Sequence, residues 1–240
     1  MNNKDSFYET LAVRRRKHAK TMCGIQGLAS NAEEYERIVG LLERHIIPDK
    51  YPAAADSTFS RQNELGMDSF IYRDLIVKNS GFALISSEWV QPLAQWIGKR
   101  RCLEIMSGSG ALAYALAQNG VEIIATDNSS WAEKYDAWFS HPWTKVEAMH
   151  CLDAIETYAQ NCDLIICSWP YMDDDAYNAL LKMRAVNPEA MMIYIGEWGG
   201  ATANEKFTDA AVVVDDPQFS SAVKQFKQMH GIYDWPYLVK

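Results

Sequence analysis

The sequence predicts an α/β fold built on a mostly parallel, seven-stranded sheet with helices on both faces. Three observations predict it. From about residue 80, short apolar runs alternate with stretches of helical period. A glycine-rich turn follows the first of those runs and opens a helix. The alternation then breaks at Asp215-Asp216-Pro217, and the chain closes on Trp235–Val239, whose residues alternate as a strand's do. Alternating strands and helices bury each strand under helical cover, the condition for a parallel sheet.

The strand runs, in order, are Arg101–Met106, Val121–Ala125, Val146–Met149, Asp163–Cys167, Met191–Ile195, Ala211–Val214 and Trp235–Val239. Between them the spacing predicts helices over Ala111–Gln118, Trp131–Phe139, Asp153–Ala159, Ala176–Arg184 and Ala203–Asp209, with a last one near Phe219–Met229. The first part of the chain reads differently. Arg14-Arg15-Arg16-Lys17-His18, with Lys20, is either a solvated basic stretch or an arm for an acidic partner. Asn31 and Glu34 have capping-box spacing. Ile38, Leu41, Leu42, His45 and Ile46 then recur at helical spacing until Pro48 stops them. Residues 49–65 read as a loop. The expected organisation is a helical N-terminal extension over 1–78 and the ligand-binding domain over 79–240.

Composition bounds the partners. With 240 residues, 48% hydrophobic and 22% charged, the chain buries one substantial core. A net charge of −8 works against non-specific binding to a nucleic-acid duplex. The five cysteines, Cys23, Cys102, Cys151, Cys162 and Cys167, form no Cys-x-x-Cys pair and fit a reduced, cytoplasmic compartment. No signal-type leader and no membrane-length apolar run is read. The histidines at 18, 45, 141, 150 and 230 lack metal-ligand spacing, so no metal is expected.

Four segments carry the chemistry. In Glu104-Ile105-Met106-Ser107-Gly108-Ser109-Gly110 a buried strand enters small residues and opens a helix, whose first N–H groups are free for a ligand. Asp127, followed by Asn128, ends the second strand, where an acid can take both hydroxyls of a ribose. The interval from Gly108 to Asp127 suits a nicotinamide dinucleotide and S-adenosylmethionine equally. Asp153, beside Ala154 just past the third strand, either receives an adenine amine or caps the helix it opens. Ser168-Trp169-Pro170-Tyr171 follows the fourth strand and offers flat faces on a backbone that Pro170 stiffens. Glu197, before Gly199-Gly200, either meets an acceptor or caps the next helix. Gly81-Phe82 and Trp89 are read either as a lid or as ordinary packing.

From about Phe82 onward these residues resemble the class I S-adenosylmethionine-dependent methyltransferases, a Rossmann-like family. Asp127-Asn128, Ser168-Trp169-Pro170 and Ile195-Gly196-Glu197-Trp198-Gly199-Gly200 resemble a methyltransferase-like group within it. The resemblance implies S-adenosylmethionine as cofactor and an antiparallel closing strand at Trp235–Val239. It implies a methionine end held by Glu104, Met106, Ser107, Gly108, Ser109 and Gly110. It further implies ribose contacts at Asp127 and Asn128 and adenine contacts at Asp153 and Ala154. Ser168 would border cofactor and acceptor together, with Trp169, Pro170, Tyr171 and Glu197 on the acceptor side. Two departures stand out: Met106 replaces the family's first glycine, and Trp169 replaces the first proline of the amino-group methyltransferases' motif. The acceptor is expected to be a small molecule, with nucleic acid or protein as alternatives. A nicotinamide-dependent oxidoreductase and a nucleoside-binding module without turnover are the rival readings.

Overall fold

A computed structural model describes residues 28–52, 66–133, 141–229 and 232–240, with backbone alone at 28–32, 66–71 and 133. Its order is α1 (Leu28–Leu42), α2 (Gly66–Asn79), α3 (Ser87–Ile97), β1 (Cys102–Ile105), α4 (Ala111–Gln118), β2 (Ile123–Asp127), β3 (Val146–Ala148), α5 (Cys151–Tyr158), β4 (Leu164–Ser168), α6 (Asp175–Val186), β5 (Met191–Glu197), α7 (Glu205–Ala210), α8 (Pro217–Val223) and β6 (Asp234–Val239). The strands form one sheet in the order β3-β2-β1-β4-β5-β6. The first five are parallel and β6 runs antiparallel to β5.

The two central strands, β1 and β4, are buried along their apolar length because helices cover both faces. Alternation then sorts their residues. Leu164, Ile166, Ile193, Ile195 and Leu238 pack with α1, α2, α3, α4 and α8. Leu103, Ile105, Ile165, Cys167, Met192 and Tyr194 pack with α5, α6 and α7. On the first face Ile38, Val39 and Leu42 of α1 join the same cluster as Trp89 and Leu93, and Tyr35 stacks on Tyr72 of α2 at 5.2 Å. Trp89 is fully buried and donates its indole N–H to Leu84 O, so it is a packing residue rather than a lid.

The sheet has six strands among the described residues, not seven. Ala211–Val214 makes a single antiparallel bridge, Val213 to Val239. The cause lies just beyond it. Asp216 accepts the N–H groups of Gln218 and Phe219, and Pro217 opens α8, which turns the chain off the sheet edge.

Several helices also differ from their sequence signals. α1 is described from Leu28, so Asn31 and Glu34 both lie within the helix rather than ahead of it. Of the helix expected over Trp131–Phe139, a 3-10 turn at Ser130–Glu133 is described, and 134–140 lie outside the described residues. α8 stops at Val223 rather than reaching Met229. The Arg14–Lys20 run and His230 also lie outside the described residues. Among those described, no helix is long and apolar enough to cross a membrane.

Candidate functional site

In the order β3-β2-β1-β4-β5 the chain winds one way from β1 to β3 and the other way from β4 onward. Neighbouring crossovers therefore diverge at the carboxyl ends of β1 and β4, which opens a crevice there. A cleft of about 830 Å³, open to solvent, occupies that place.

Its floor is the turn after β1. Met106, Gly108 and Gly110 all adopt left-handed backbone, at φ 52°, 54° and 71°. Glycine takes this without cost, whereas Met106 pays strain to face the cleft. At Gly110 a Cβ would approach Thr144 Cγ2 and Val146 Cγ2 to 2.9 Å, so the glycine is also required for space. Ser107 O accepts the Gly110 N–H at 2.9 Å and closes the turn. Ser109 faces away from the cleft: it is buried, and its hydroxyl donates to Ser80 O. That bond, with Trp143 Nε1 donating to Asn79 O at 2.6 Å, ties residues 79–80 to the turn. The tie holds Ser80, Gly81, Phe82 and Ala83 as one wall of the cleft.

Asp127 ends β2 and is 5% exposed. Its Oδ2 accepts the Gly108 N–H at 2.8 Å; its Oδ1 accepts the Ser129 N–H at 2.6 Å and Trp131 Nε1–H at 3.0 Å. A carboxylate offers about four acceptor positions, so roughly one remains open. Glu104 lies in β1 beneath it, 1% exposed, accepting the Ala113 N–H at 3.1 Å. Burial pushes its carboxyl up to about 8; the Ala113 N–H opposes this and the Asp127 charge adds to it. Glu104 is therefore a neutral acid at pH 7.

This gives a pH prediction. Glu104's ordinary value is 4.5 and its folded value is about 8, so the folded state holds the proton more tightly than the unfolded state. Its contribution to stability is complete below pH 4.5 and is lost as pH rises through 8. Each pH unit between the two values is worth at most about 1.4 kcal/mol. Glu104→Gln should therefore gain stability on the wild type as pH rises from 5 to 8, read as diverging denaturant midpoints. A constant difference would refute the neutral acid.

Ser168-Trp169-Pro170-Tyr171 also line the cleft, in contact with the first wall through Phe82. Trp169 sits at φ 53°, a strained position for a bulky residue. It is held there on every side. Its N–H donates to Ile195 O at 2.8 Å, and its indole N–H donates to Asp234 Oδ2 at 2.9 Å. Phe82 stacks on its ring at 5.1 Å, and the Arg73 guanidinium lies over it at 5.0 Å. Asp234 is 2% exposed, and burial raises its carboxyl to about 6, against the pull of the Trp169 indole and Arg73.

Some expected site residues fall elsewhere. Glu104, Met106, Ser107, Gly108, Asp127, Asn128, Ser168, Trp169, Pro170 and Tyr171 line the cleft; Ser109, Gly110, Asp153, Ala154 and Glu197 do not. Asp153 is exposed in the first turn of α5, whose N-cap is His150 rather than Asp153. Ala154 is buried in the core under α5. Glu197 receives the N–H groups of Ala201 and Tyr233 at 2.9 and 2.8 Å, so it ties a turn to the start of β6 and neither meets the cleft nor caps a helix. The N-cap of α7 is Asn204.

Sequence spacing also missed a group that the fold assembles. Ligand atoms of His150, Cys151 and Asp175 lie within 4.8 Å of one another, and Cys151 and Asp175 line the cleft. His150 Nδ1 accepts the Leu152 N–H and Nε2 faces Asp175 at 3.4 Å, so both ring nitrogens are engaged within the protein. The only sequence signal was a histidine and a cysteine side by side after β3.

The strand order and the crevice at the strand ends define a Rossmann-like α/β domain. No family model and no curated protein matches the chain. Among solved structures it is similar to the CcbJ methyltransferase from Streptomyces caelestis (16% identity, TM-score 0.33), over 46% of this chain and 49% of that one. It is similar to the magnesium protoporphyrin IX methyltransferase ChlM from Synechocystis with bound SAM (14%, TM-score 0.41), over 79% and 99% of the two chains. It is also similar to the plantazolicin methyltransferase BpumL in complex with SAH (9%, TM-score 0.40), over 88% and 99%. The chain thus spans about half the length of the first of these. All three likenesses are remote.

Proposed function

We propose that the cleft binds S-adenosylmethionine and that the protein transfers its methyl group to a small-molecule acceptor, an amine by preference. One observation carries the reading. The lining brings together the Asp127 and Asp175 carboxylates, the neutral Glu104 acid and four aromatic rings (Phe82, Trp131, Trp169, Tyr171) and, among the described residues, contains no lysine or arginine itself, while the Arg73 guanidinium lies over the Phe82 and Trp169 rings. Carboxylates and aromatic faces favour a cation such as a sulfonium. The same lining repels a pyrophosphate, which counts against a nicotinamide dinucleotide. The antiparallel β6 also departs from the parallel sheet usual for dinucleotide binding.

The residues present fit this cofactor. Ser107 Oγ is buried without a hydrogen-bond partner and Ser107 lines the cleft. In this reading Glu104 and Met106–Gly108 hold the methionine end, Asp127 and Asn128 the ribose, and Ser168–Tyr171 border the acceptor. Residues 79–240 act as the binding domain and α1 and α2 as its cover. S-Adenosylmethionine, when bound, supplies an electrophilic methyl group on sulfur.

The chain's own work is to bind, align and exclude water. Ser168 orients the acceptor through its hydroxyl, and Trp169 and Tyr171 keep the transfer zone dry. Alignment alone can lower such a barrier by about 7–11 kcal/mol, so no strong base is needed. The neutral Glu104 adds a signature: a cation beside it favours ionisation, so binding should release a proton. Calorimetry in buffers of different ionisation enthalpy tests both points. S-Adenosylmethionine is expected to bind with proton release and NADH not to bind. NADH binding with no S-adenosylmethionine binding would overturn the proposal.

A further inference from the structure

We infer that His150, Cys151 and Asp175 form a site for a divalent transition-metal ion of the Zn²⁺ class at the wall of the cleft. The site is independent of the ligand proposed for the cleft.

The fold brings the three residues together from two helix starts. His150 is the N-cap of α5 and Cys151 its first residue, whereas Asp175 opens α6. One ligand atom from each lies within 4.8 Å of the others. The Asp175 N–H donates to Asp173 Oδ1 at 3.0 Å and fixes the backbone that carries the carboxylate. The side chains of His150 and Asp175 are 37% and 33% exposed, while Cys151 is 3% exposed. The group therefore has a buried thiol at its floor and a path for an ion from solvent.

The separations suit an ion held in common better than direct bonds. Nε2 of His150 stands 3.4 Å from Asp175 Oδ2, and the Leu152 N–H reaches Nδ1 at 3.3 Å. Well-made N–H···O bonds are about 2.9–3.0 Å long. A nitrogen and an oxygen bound to one tetrahedral Zn²⁺, each at about 2.0–2.2 Å, stand about 3.4 Å apart. Cys151 Sγ lies 3.7 Å from the near side of the same ring, at Nδ1. Bringing Sγ onto the ion asks for a side-chain adjustment within the 4.8 Å span.

The donors select the metal. Imidazole, thiolate and carboxylate together suit Zn²⁺, whereas Mg²⁺ and Ca²⁺ take oxygen ligands. Three protein ligands leave a fourth position open. Cys151 and Asp175 line the cleft, so that position adjoins it, and the described lining holds no lysine or arginine to oppose the charge. An open position suits an ion that meets a ligand rather than one that only braces the fold. Coordination breaks the thiol S–H bond and makes a sulfur–metal bond, and the proton leaves to solvent. The ring proton passes from Nε2 to Nδ1. Burial and the Asp175 charge keep the free thiol neutral, but the Leu152 and Cys151 N–H groups already favour the thiolate. The Leu152 N–H, released from Nδ1, turns to the sulfur.

Co²⁺, a coloured substitute for Zn²⁺, tests this on the full chain after treatment with a chelator. Added alone, it should bind once per chain and raise a thiolate-to-metal band together with the visible bands of tetrahedral coordination. Zn²⁺ should displace it and Mg²⁺ should not. Cys151→Ser should abolish the thiolate band although Cys23, Cys102, Cys162 and Cys167 remain. His150→Ala and Asp175→Asn should each weaken Co²⁺ by about tenfold or more, since even an outer partner is worth that much. Asp175→Asn keeps the thiol and the side-chain shape, and decides the matter if Cys151→Ser fails to fold. A wild type without the thiolate band, a band that survives Cys151→Ser, or an affinity unchanged in either His150→Ala or Asp175→Asn overturns the inference.

Discussion

Asp127→Ala is expected to weaken S-adenosylhomocysteine binding by about a hundredfold or more and to lower stability by about 3 kcal/mol. The first figure is the loss of two charge-assisted hydrogen bonds to a ribose. The second follows from the free protein. Gly108, Ser129 and Trp131 all donate to this carboxylate in a place only 5% exposed. Each stranded donor costs about 1–3 kcal/mol, less where water enters. Asp127→Asn should fare little better, because its amide cannot accept from both sides. An Asn oxygen turned to Ser129 and Trp131 leaves its NH₂ against the Gly108 N–H. If the proposed ribose binds here, its two hydroxyls need two acceptor positions where about one is open, so the side-chain donor, the Trp131 indole, is expected to give way. Thermal unfolding, calorimetry and tryptophan fluorescence read the three consequences. A stable Asp127→Asn variant with unchanged affinity would refute the role.

Trp169→Ala should cost about 3–5 kcal/mol, the usual range for removing a large packed aromatic side chain. It removes the stack on Phe82, the cation contact with Arg73 and the hydrogen bond to Asp234 together. Trp169→Phe separates these, since it keeps the ring contacts and deletes the N–H. Asp234, already pushed up to about 6, then loses a partner that held it down, and its folded value climbs further. The sign is definite. A carboxyl raised above its ordinary 3.8 stabilises the fold below that value and costs stability as pH rises through the folded value. The deficit of Trp169→Phe against the wild type should therefore be small near pH 4.5 and deepen toward pH 7.5. Denaturant titrations at the two pH values measure it, and a deficit that does not change with pH would sink the Asp234 coupling.

Much of this architecture was legible in the chain. Helix Ala111–Gln118 and five parallel strands follow from apolar runs and helical period, because burial on two faces leaves a strong signal in composition. The turn at Gly108 and Gly110 was legible because left-handed backbone favours glycine. The shortened edge was not. Ala211–Val214 has strand composition, but the cap at Asp216 acts on it from outside the run. The exposed placement of Asp153 was not legible for a related reason: a carboxylate at a given distance in sequence points wherever its helix turns it.

The sequence alone determined which residue types meet the carboxyl ends of β1, β2 and β4, since each segment ends a strand whose own pattern marks it. Only the tertiary structure decided which of their side chains face inward. Three facts came from packing: that Asp175 and not Asp153 lines the cleft, that Phe82 and Arg73 close on Trp169, and that Asp234 reaches Trp169 from β6. Strand order and helix rotation set those distances, and neither is encoded in local period, because both arise from contacts between residues far apart in the chain.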